Sequence, residues 1–136
     1  HQGRVVCYGD ATGGAGGSAK VSGSDWDIVR RELAAFGDRL TFRVPRANPR
    51  ERARLNAVNT RLRSGDNKVR LMVDPQTAPH VVRDLEGVTL LEGGSGEIDK
   101  RADVNLTHIS DALGYYITDE FPIQNKTVIK TKLIGV

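Results

Sequence analysis

The sequence predicts one α/β domain with a largely parallel sheet flanked by helices. Short β-branched segments alternate with amphipathic helical segments, and strands connected by helices form parallel sheets. The chain has 136 residues, which is enough for one domain with a core and too few for two. With 38% hydrophobic and 27% charged residues, its composition is that of a globular protein rather than a disordered one.

The first third of the chain predicts two strands and the helix between them. Residues 4–8 are short, β-branched and bounded by glycine, which is typical of a buried strand. Ser24 with Asp27 resembles a capping box and opens a helix that should stop at Gly37. A second strand is predicted over residues 40–44.

The strongest local signal opens a helix after Asn48. Asn48 can cap the helix, Pro49 suits the first helical position, and Glu51 can reach back to the cap amide. We expect this helix to run to about Arg63, with most of its arginines outward. The side chains expected to face inward are Leu55, Val58 and Leu62.

The second half predicts further strands and helices of the same alternating kind. A third strand is expected over 69–73, a short helix over 78–85 and another strand over 88–91. Residues 92–104 are glycine-rich and charged, which indicates a loop or a hairpin. A helix is expected over 106–118; the side chains predicted to lie on its inward side are Leu106, Ile109, Leu113 and Tyr116.

Positive charge is concentrated between Arg43 and Arg70. This segment holds nine Lys or Arg against two acidic residues, a net +7, while the rest of the chain has 11 against 15, a net −4. Such a distribution suggests a polyanionic partner. The alternative is a solvent-exposed helix face on which arginine occurs because it favours helix formation.

Composition excludes several classes of protein. No apolar run approaches the roughly 18–20 residues that a membrane-spanning helix needs. The N-terminus shows no secretory signal. The single cysteine, Cys7, excludes an internal disulfide framework and a cysteine-based zinc site. We therefore expect a reducing, cytoplasmic setting.

Three polar side chains are candidates for chemistry. Asp10 follows the first strand, where α/β sheets carry functional groups, beside glycines that let a ligand approach; the alternative is an Asx turn. His108 and Asp111 are three apart on a predicted helix and therefore neighbours. Together they can bind a divalent ion or position a water, or simply hydrogen-bond to each other on a surface helix.

The glycine run after Asp10 suggests a nucleotide site only weakly. The residues around Lys20 do not form a P-loop. Gly14, Gly16 and Ala19 match the relaxed dinucleotide pattern, but the preceding strand ends too early and Arg46 stands where an acidic residue is needed. A nucleotide-binding oxidoreductase is therefore the third functional hypothesis.

Four blocks in order, spanning most of residues 4–118, carry a more specific signal. They are Tyr8-Gly9-Asp10-Ala11-Thr12-Gly13, Ser24-Asp25-Trp26, Val44-Pro45-Arg46-Ala47-Asn48-Pro49 running into Arg54-Leu55-Asn56-Ala57-Val58-Asn59, and Asp99-Lys100 leading to Leu106-Thr107-His108-Ile109-Ser110-Asp111-Ala112-Leu113-Gly114-Tyr115. Their order and spacing resemble the nuclease domain of a tailed-phage terminase large subunit, the DNA-packaging motor.

This resemblance implies an RNase H-like mixed sheet flanked by helices and a two-metal endonuclease. An acidic cluster in that family binds two Mg²⁺ or Mn²⁺ ions and hydrolyses phosphodiester bonds. By the resemblance, Asp10 matches the second acidic ligand and Asp111 the last. Asp103 and His108 are accessory candidates, and Lys100 is a candidate for contact with the scissile phosphate.

The resemblance also implies partners and a location. The substrate is concatemeric double-stranded DNA, cut during genome packaging in the host cytoplasm. In the intact protein the partners are an upstream ATPase domain, the portal protein and the small terminase subunit. The candidate contacts to the DNA backbone are Arg46, Arg50, Arg54 and Arg61.

One departure from the family pattern concerns the first catalytic aspartate. It belongs to a strand that should precede Arg4, so we expect a C-terminal portion of the nuclease domain over 4–122 and a tail over 123–136. Residues 127–133 of the tail show a weak edge-strand pattern. The alternative function is therefore a non-catalytic fragment that binds DNA or portal protein.

Overall fold

Two parallel strands and four α-helices form the described part of the chain. The computed structural model describes residues 3–14, 23–94, 97–99, 101, 103 and 106–123. Strands β1 (Val5–Tyr8) and β2 (Leu40–Arg43) pair in parallel, with Val5 opposite Leu40. This confirms the α/β class and both strands predicted in the first third of the chain.

Helix α1 (Asp25–Glu32) connects the two strands. The Ser24 hydroxyl accepts a hydrogen bond from the Asp27 amide at 3.2 Å, and the Asp27 carboxylate accepts one from the Ser24 amide at 2.9 Å. The predicted capping box is therefore present. A 3₁₀ segment, Ala34–Arg39, follows, and Gly37 takes a φ of 53° there, which reverses the chain into β2.

Helix α2 (Glu51–Leu62) begins two residues after the predicted first position, Pro49, and ends within one residue of the predicted Arg63; its predicted capping is wrong. The Asn48 amide group donates to Asp10 at 2.7 Å instead of capping the helix. The Glu51 carboxylate accepts from the amide of Ile98 at 2.6 Å instead of the cap amide. Partners distant in the sequence bind both side chains, so the helix begins without a side-chain cap.

The strands predicted over 69–73 and 88–91 do not form as predicted. The first segment has no strand partner in the described ranges, and its Val69 and Met72 are 56% and 86% exposed. The amides of Arg70 and Leu71 instead donate to the Arg61 carbonyl near the end of α2, each at 2.8 Å, and Leu71 packs against the core. The second segment makes one antiparallel bridge, from Leu90 to Ile98. That bridge is consistent with the hairpin predicted for the glycine-rich segment after it.

Helix α4 (His108–Glu120) packs against α2, α3 (Pro79–Gly87) and β1. None of the described helices is long and apolar enough to cross a membrane. The predicted helices over 78–85 and 106–118 are thus confirmed with small shifts of their ends. The core between α2 and α4 consists of Ala57, Val58 and Ile117, flanked by Leu62, Leu71, Leu85 and Leu113.

The inward side of α4 differs from the predicted one. Ile109 and Tyr116 are 41% and 38% exposed, whereas Gly114, Tyr115 and Ile117 are buried. A Cβ atom on Gly114 would lie 3.4 Å from the Arg54 Cβ. That is an ordinary van der Waals distance, so Gly114 lies directly against Arg54 where α2 and α4 pack together.

Candidate functional site

Asp10 and Asp111 line the same cleft, although they are far apart in the sequence. The cleft has a volume of about 340 Å³ and lies between the end of β1, α1 and the first turns of α4. Asp25 and His108 also line it. We call it the Asp10–Asp111 cleft.

The turn after β1 fixes the Asp10 carboxylate. Its Oδ1 accepts hydrogen bonds from the Thr12 amide at 2.6 Å, the Thr12 hydroxyl at 2.7 Å and the Asn48 side chain at 2.7 Å. The sequence analysis treated an Asx turn and a functional position as alternatives for Asp10. Asp10 forms the turn and also lines the cleft. Burial raises the pKa of Asp10, but the hydrogen bonds from Asn48 and Thr12 outweigh it and lower the pKa overall. Asp10 is thus an anion at neutral pH.

The Asp111 carboxylate lies in the first turn of α4 and is paired with a buried cation. Its Oδ1 is 2.8 Å from a terminal nitrogen of Arg54. The Arg54 side chain is 7% exposed and that of Asp111 is 22% exposed. The sequence left a local hydrogen bond to His108 as one alternative for Asp111; the structure pairs Asp111 with Arg54, which joins α2 to α4.

Asp84 of α3 holds the start of α4 from outside that helix. Its buried carboxylate accepts hydrogen bonds from the backbone amides of Thr107 and Ser110. Burial raises the pKa of Asp84, but these amides outweigh it and lower the pKa overall. Because Thr107 has a left-handed φ of 84° and no side-chain cap bond, Asp84 supplies the cap of the helix that carries Asp111.

Tyr115 lines the cleft together with both carboxylates. It lies one turn after Asp111, and its ring centre is 4.4 Å from the Arg54 guanidinium. Burial is the main reason that the pKa of Tyr115 is raised; the charges of Asp10 and Asp111 raise it further and Arg54 opposes them. The phenol therefore stays protonated near neutral pH.

The glycines beside Asp10 accommodate a protein side chain. A Cβ atom on Gly9 would lie 2.5 Å from the Trp26 ring, and one on Gly13 would lie 2.7 Å from its Nε1. That nitrogen donates to the Asp10 carbonyl at 2.8 Å. The space that the sequence suggested for an approaching ligand is thus filled by the indole, which forms one wall of the cleft.

The remaining site candidates lie elsewhere or outside the described residues. Asp103 does not line the cleft, and its carboxylate is 3.9 Å from Arg83. Lys100, the glycine loop over 15–22 and the tail segment 127–133 lie outside the described residues. His108 is an exposed residue at the edge of the cleft.

The cleft contains carboxylate and imidazole donors, from Asp10, Asp25, His108 and Asp111. Among the residues that the structure describes, no group of three or more His, Cys, Asp or Glu can hold a metal ion. A closed protein cage for the ion is therefore absent from that part of the chain. Mg²⁺, however, is commonly bound by one or two carboxylates together with waters and phosphate oxygens.

The candidate DNA-binding arginines divide between surface and interior. Arg46 and Arg50 are exposed and flank Asn48, the partner of Asp10. Arg61 is half-buried, with its guanidinium 4.2 Å from the ring centre of Phe121. Arg54 was expected to face outward, and this expectation is wrong because the close approach of α2 and α4 buries it.

Several residues of the cleft were missed by the sequence argument. Tyr115 stands four residues after Asp111, a spacing that places both on one helix face and provides a usable signal. Asp25 and Asn48 belong to the blocks already quoted, but only the fold brings them to the cleft and to Asp10. No local pattern pairs Arg54 with Asp111.

Comparison with known proteins adds nothing to this geometry. No family model, no curated protein and no solved structure matches the chain. The interpretation of the site therefore depends on its chemistry: carboxylates, an imidazole and a phenol around one cleft, with exposed arginines beside it.

Proposed function

We propose that this chain is part of a metal-dependent endonuclease, the RNase H-like nuclease domain of a phage terminase large subunit. The observation that carries the proposal is the convergence of Asp10 and Asp111 on one cleft. The resemblance selected these two residues as metal ligands without reference to any contact between them. Two anionic carboxylates in one cleft are what a divalent ion requires.

In this proposal Asp10 and Asp111 would hold the ion. A divalent ion there would supply an activated water and would stabilise the departing oxygen. Asn48 and Thr12 keep Asp10 deprotonated and fix its orientation. His108, at the edge of the cleft, is the candidate for proton transfer.

Double-stranded DNA is the proposed substrate because exposed positive charge adjoins the acidic cleft. Arg46 and Arg50 lie on either side of Asn48, which itself binds Asp10. Phosphates that contact these arginines would pass beside the cleft without any selection for sequence. The upstream ATPase domain, the portal protein and the small terminase subunit are the proposed partners in the intact protein.

Nicking of supercoiled plasmid tests the proposed function. We expect nicking in Mn²⁺ or Mg²⁺ and none in chelator. Asp111→Asn should reduce the rate by about 100-fold or more, because a metal ligand is lost. Asp38→Asn, which changes an exposed aspartate outside the cleft, is the matched control and should leave the rate unchanged. Equal nicking by the Asp111→Asn protein would contradict the assignment.

A second candidate function, DNA binding without cleavage, is favoured by the ligand count. Asp10, Asp25, His108 and Asp111 line the cleft, but no three such side chains in the described part of the chain can hold a metal ion. A purely binding fragment would retain its DNA affinity in chelator and would not nick plasmid in any metal. Affinity that requires Mn²⁺ and falls in Asp111→Asn would exclude this candidate.

A further inference from the structure

Residues 63–72, between α2 and α3, combine exposed apolar side chains with positive charge. Met72 is 86% exposed and Val69 is 56% exposed. The same stretch has three cations against one carboxylate, a net +2. Its cations are all exposed: Arg63, Lys68 and Arg70. We call this stretch the 63–72 loop.

The polar groups of the 63–72 loop hold it in one shape. The Ser64 amide donates to the Lys68 carbonyl at 3.0 Å, and the Lys68 amide donates back to the Ser64 hydroxyl at 3.2 Å. The Nε of Arg63 donates to Asn67 Oδ1 at 3.1 Å. The loop is therefore ordered before any partner arrives, which reduces the entropy lost on binding.

Leu71 attaches the loop to the core. Its side chain packs against the core between α2 and α4, and its amide donates to the Arg61 carbonyl at 2.8 Å. Met72 follows directly, and most of its long apolar side chain lies in water. An apolar side chain that is exposed on an anchored loop is available for contact with another molecule.

The chemistry of the loop favours duplex DNA as that molecule. Lys68 pairs with Asp66 at 2.8 Å, and both side chains are more than half exposed. Exposed ion pairs contribute little free energy, so a phosphate can replace the carboxylate at small cost. Two apolar side chains are too few for the core of a stable protein interface or for a membrane-bound helix face. One unbranched apolar side chain, however, is enough to enter a base step.

We propose that the 63–72 loop binds the DNA backbone through Lys68 and Arg70 and inserts Met72 between two base pairs. Proteins that kink duplex DNA insert Met, Leu or Phe side chains in this way while cations hold the neighbouring phosphates. This inference rests on the DNA binding in the proposed function and adds a deformation of the duplex. It requires neither cleavage nor a metal ion.

Fluorescence of 2-aminopurine in a short duplex of alternating adenine and thymine measures the unstacking. The TA steps of this duplex are easily unstacked, and chelator in the buffer prevents cleavage. We expect saturating wild-type protein to raise the fluorescence and Met72→Ser to abolish this rise. Leu90→Ser changes a side chain that is 58% exposed and lies outside the loop, so this matched control should retain the rise.

Lys68→Gln together with Arg70→Gln tests the contacts to phosphate. Glutamine keeps a side-chain donor for the loop and removes the charge. The slope of log affinity against log salt should fall by about 1.8, since each lost phosphate contact contributes about 0.9. Met72→Ser should leave this slope unchanged, because it removes no charge. A slope that the double variant does not change would overturn the proposed contacts.

The outcomes separate this inference from the proposed function. If Met72→Ser retains the rise, the inference is overturned and the proposed DNA binding survives. If wild-type protein does not bind the duplex, both are overturned. A rise that depends on Met72 without plasmid nicking supports the inference and contradicts the proposed cleavage.

Vesicles of phosphatidylserine and phosphatidylcholine test the competing partner, an anionic membrane. We expect them to bind more weakly than the duplex, with no dependence on Met72. Binding that equals the duplex affinity and falls in Met72→Ser would overturn the inference in favour of a membrane surface. A normal near-ultraviolet spectrum of Trp26 establishes that each variant is folded.

Discussion

At the scale of single residues, two glycines determine where the only tryptophan of the chain lies. Gly9 and Gly13 leave room for the Trp26 ring, and the indole then donates to the Asp10 carbonyl. Because these two residues after β1 have no side chains, the indole can lie there and form a wall of the cleft. The sequence analysis expected the space beside these glycines to admit a ligand. The space is present, but the Trp26 ring fills it.

Gly9→Ala should destabilise the protein through this contact. The new Cβ atom would meet the Trp26 ring at 2.5 Å, so either the indole or the strand must move. We expect the free energy of unfolding in urea to fall by about 1–3 kcal/mol. Gly65→Ala is the matched control because nothing lies within 4 Å of its Cβ position and its φ is not positive. A loss as large at Gly65 would show that the Trp26 contact is not responsible.

At the scale of elements, α3 determines how α4 begins. Asp84 accepts the first free amides of α4, whereas Thr107, at the cap position, makes no side-chain bond there. The helix that carries Asp111 and Tyr115 is therefore held in place by a carboxylate from another helix. Local capping rules locate the helix, but they do not identify a cap that comes from elsewhere in the chain.

Asp84→Asn should lower stability at neutral pH. Asparagine offers one acceptor oxygen where the carboxylate offers two, so a buried amide loses its partner at a cost of about 1–3 kcal/mol. Urea unfolding measures the change. Glu86→Gln, on an exposed position of the same helix, is the control and should have little effect.

The stability difference between the wild type and Asp84→Asn should change with pH in one direction only. The pKa of Asp84 is lowered in the folded protein, so its contribution is complete above the unfolded value of about 3.9. It is lost as the pH falls from there through the lower folded pKa. The difference between wild type and Asp84→Asn should therefore shrink in this acidic range. A difference that is constant down to pH 2 would refute the role of the charged carboxylate.

At the scale of the whole molecule, an acidic cleft lies beside a basic segment. The net +7 between Arg43 and Arg70 is not uniformly exposed, because α2 turns Arg54 inward to Asp111 and leaves Arg46 and Arg50 at the surface. The fold thus divides one run of arginines into a buried residue paired with Asp111 and residues exposed to solvent.

DNA binding should reflect the surface part of this charge. Arg46→Ala together with Arg50→Ala should weaken binding to any duplex sequence. The slope of log affinity against log salt should fall by about 1.8, since each lost phosphate contact contributes about 0.9. Fluorescence anisotropy in chelator at several salt concentrations measures this. Arg31→Ala, exposed on α1, is the control; an equal effect there would contradict a localised DNA surface.

Accuracy of the sequence predictions depended on how local each interaction is. The Ser24–Asp27 capping box was predictable because both partners lie within one helical turn. Asn48 has the same cap-forming chemistry, yet Asp10 takes its side chain, so the prediction failed. The strand expected over 69–73 failed because its amides at Arg70 and Leu71 donate to the Arg61 carbonyl near the end of α2, a partner that the segment itself does not specify.

The sequence by itself determined β1, β2, the four α-helices and the concentration of arginine, because periodicity and local hydrogen bonds specify them. The order of the four sequence blocks also supported the resemblance that proposes Asp10 and Asp111 as metal ligands. Only the tertiary structure decided that these carboxylates share a cleft and that Arg54 is buried against one of them. The physical reason is the packing of α2 against α4, two segments that no local sequence pattern connects.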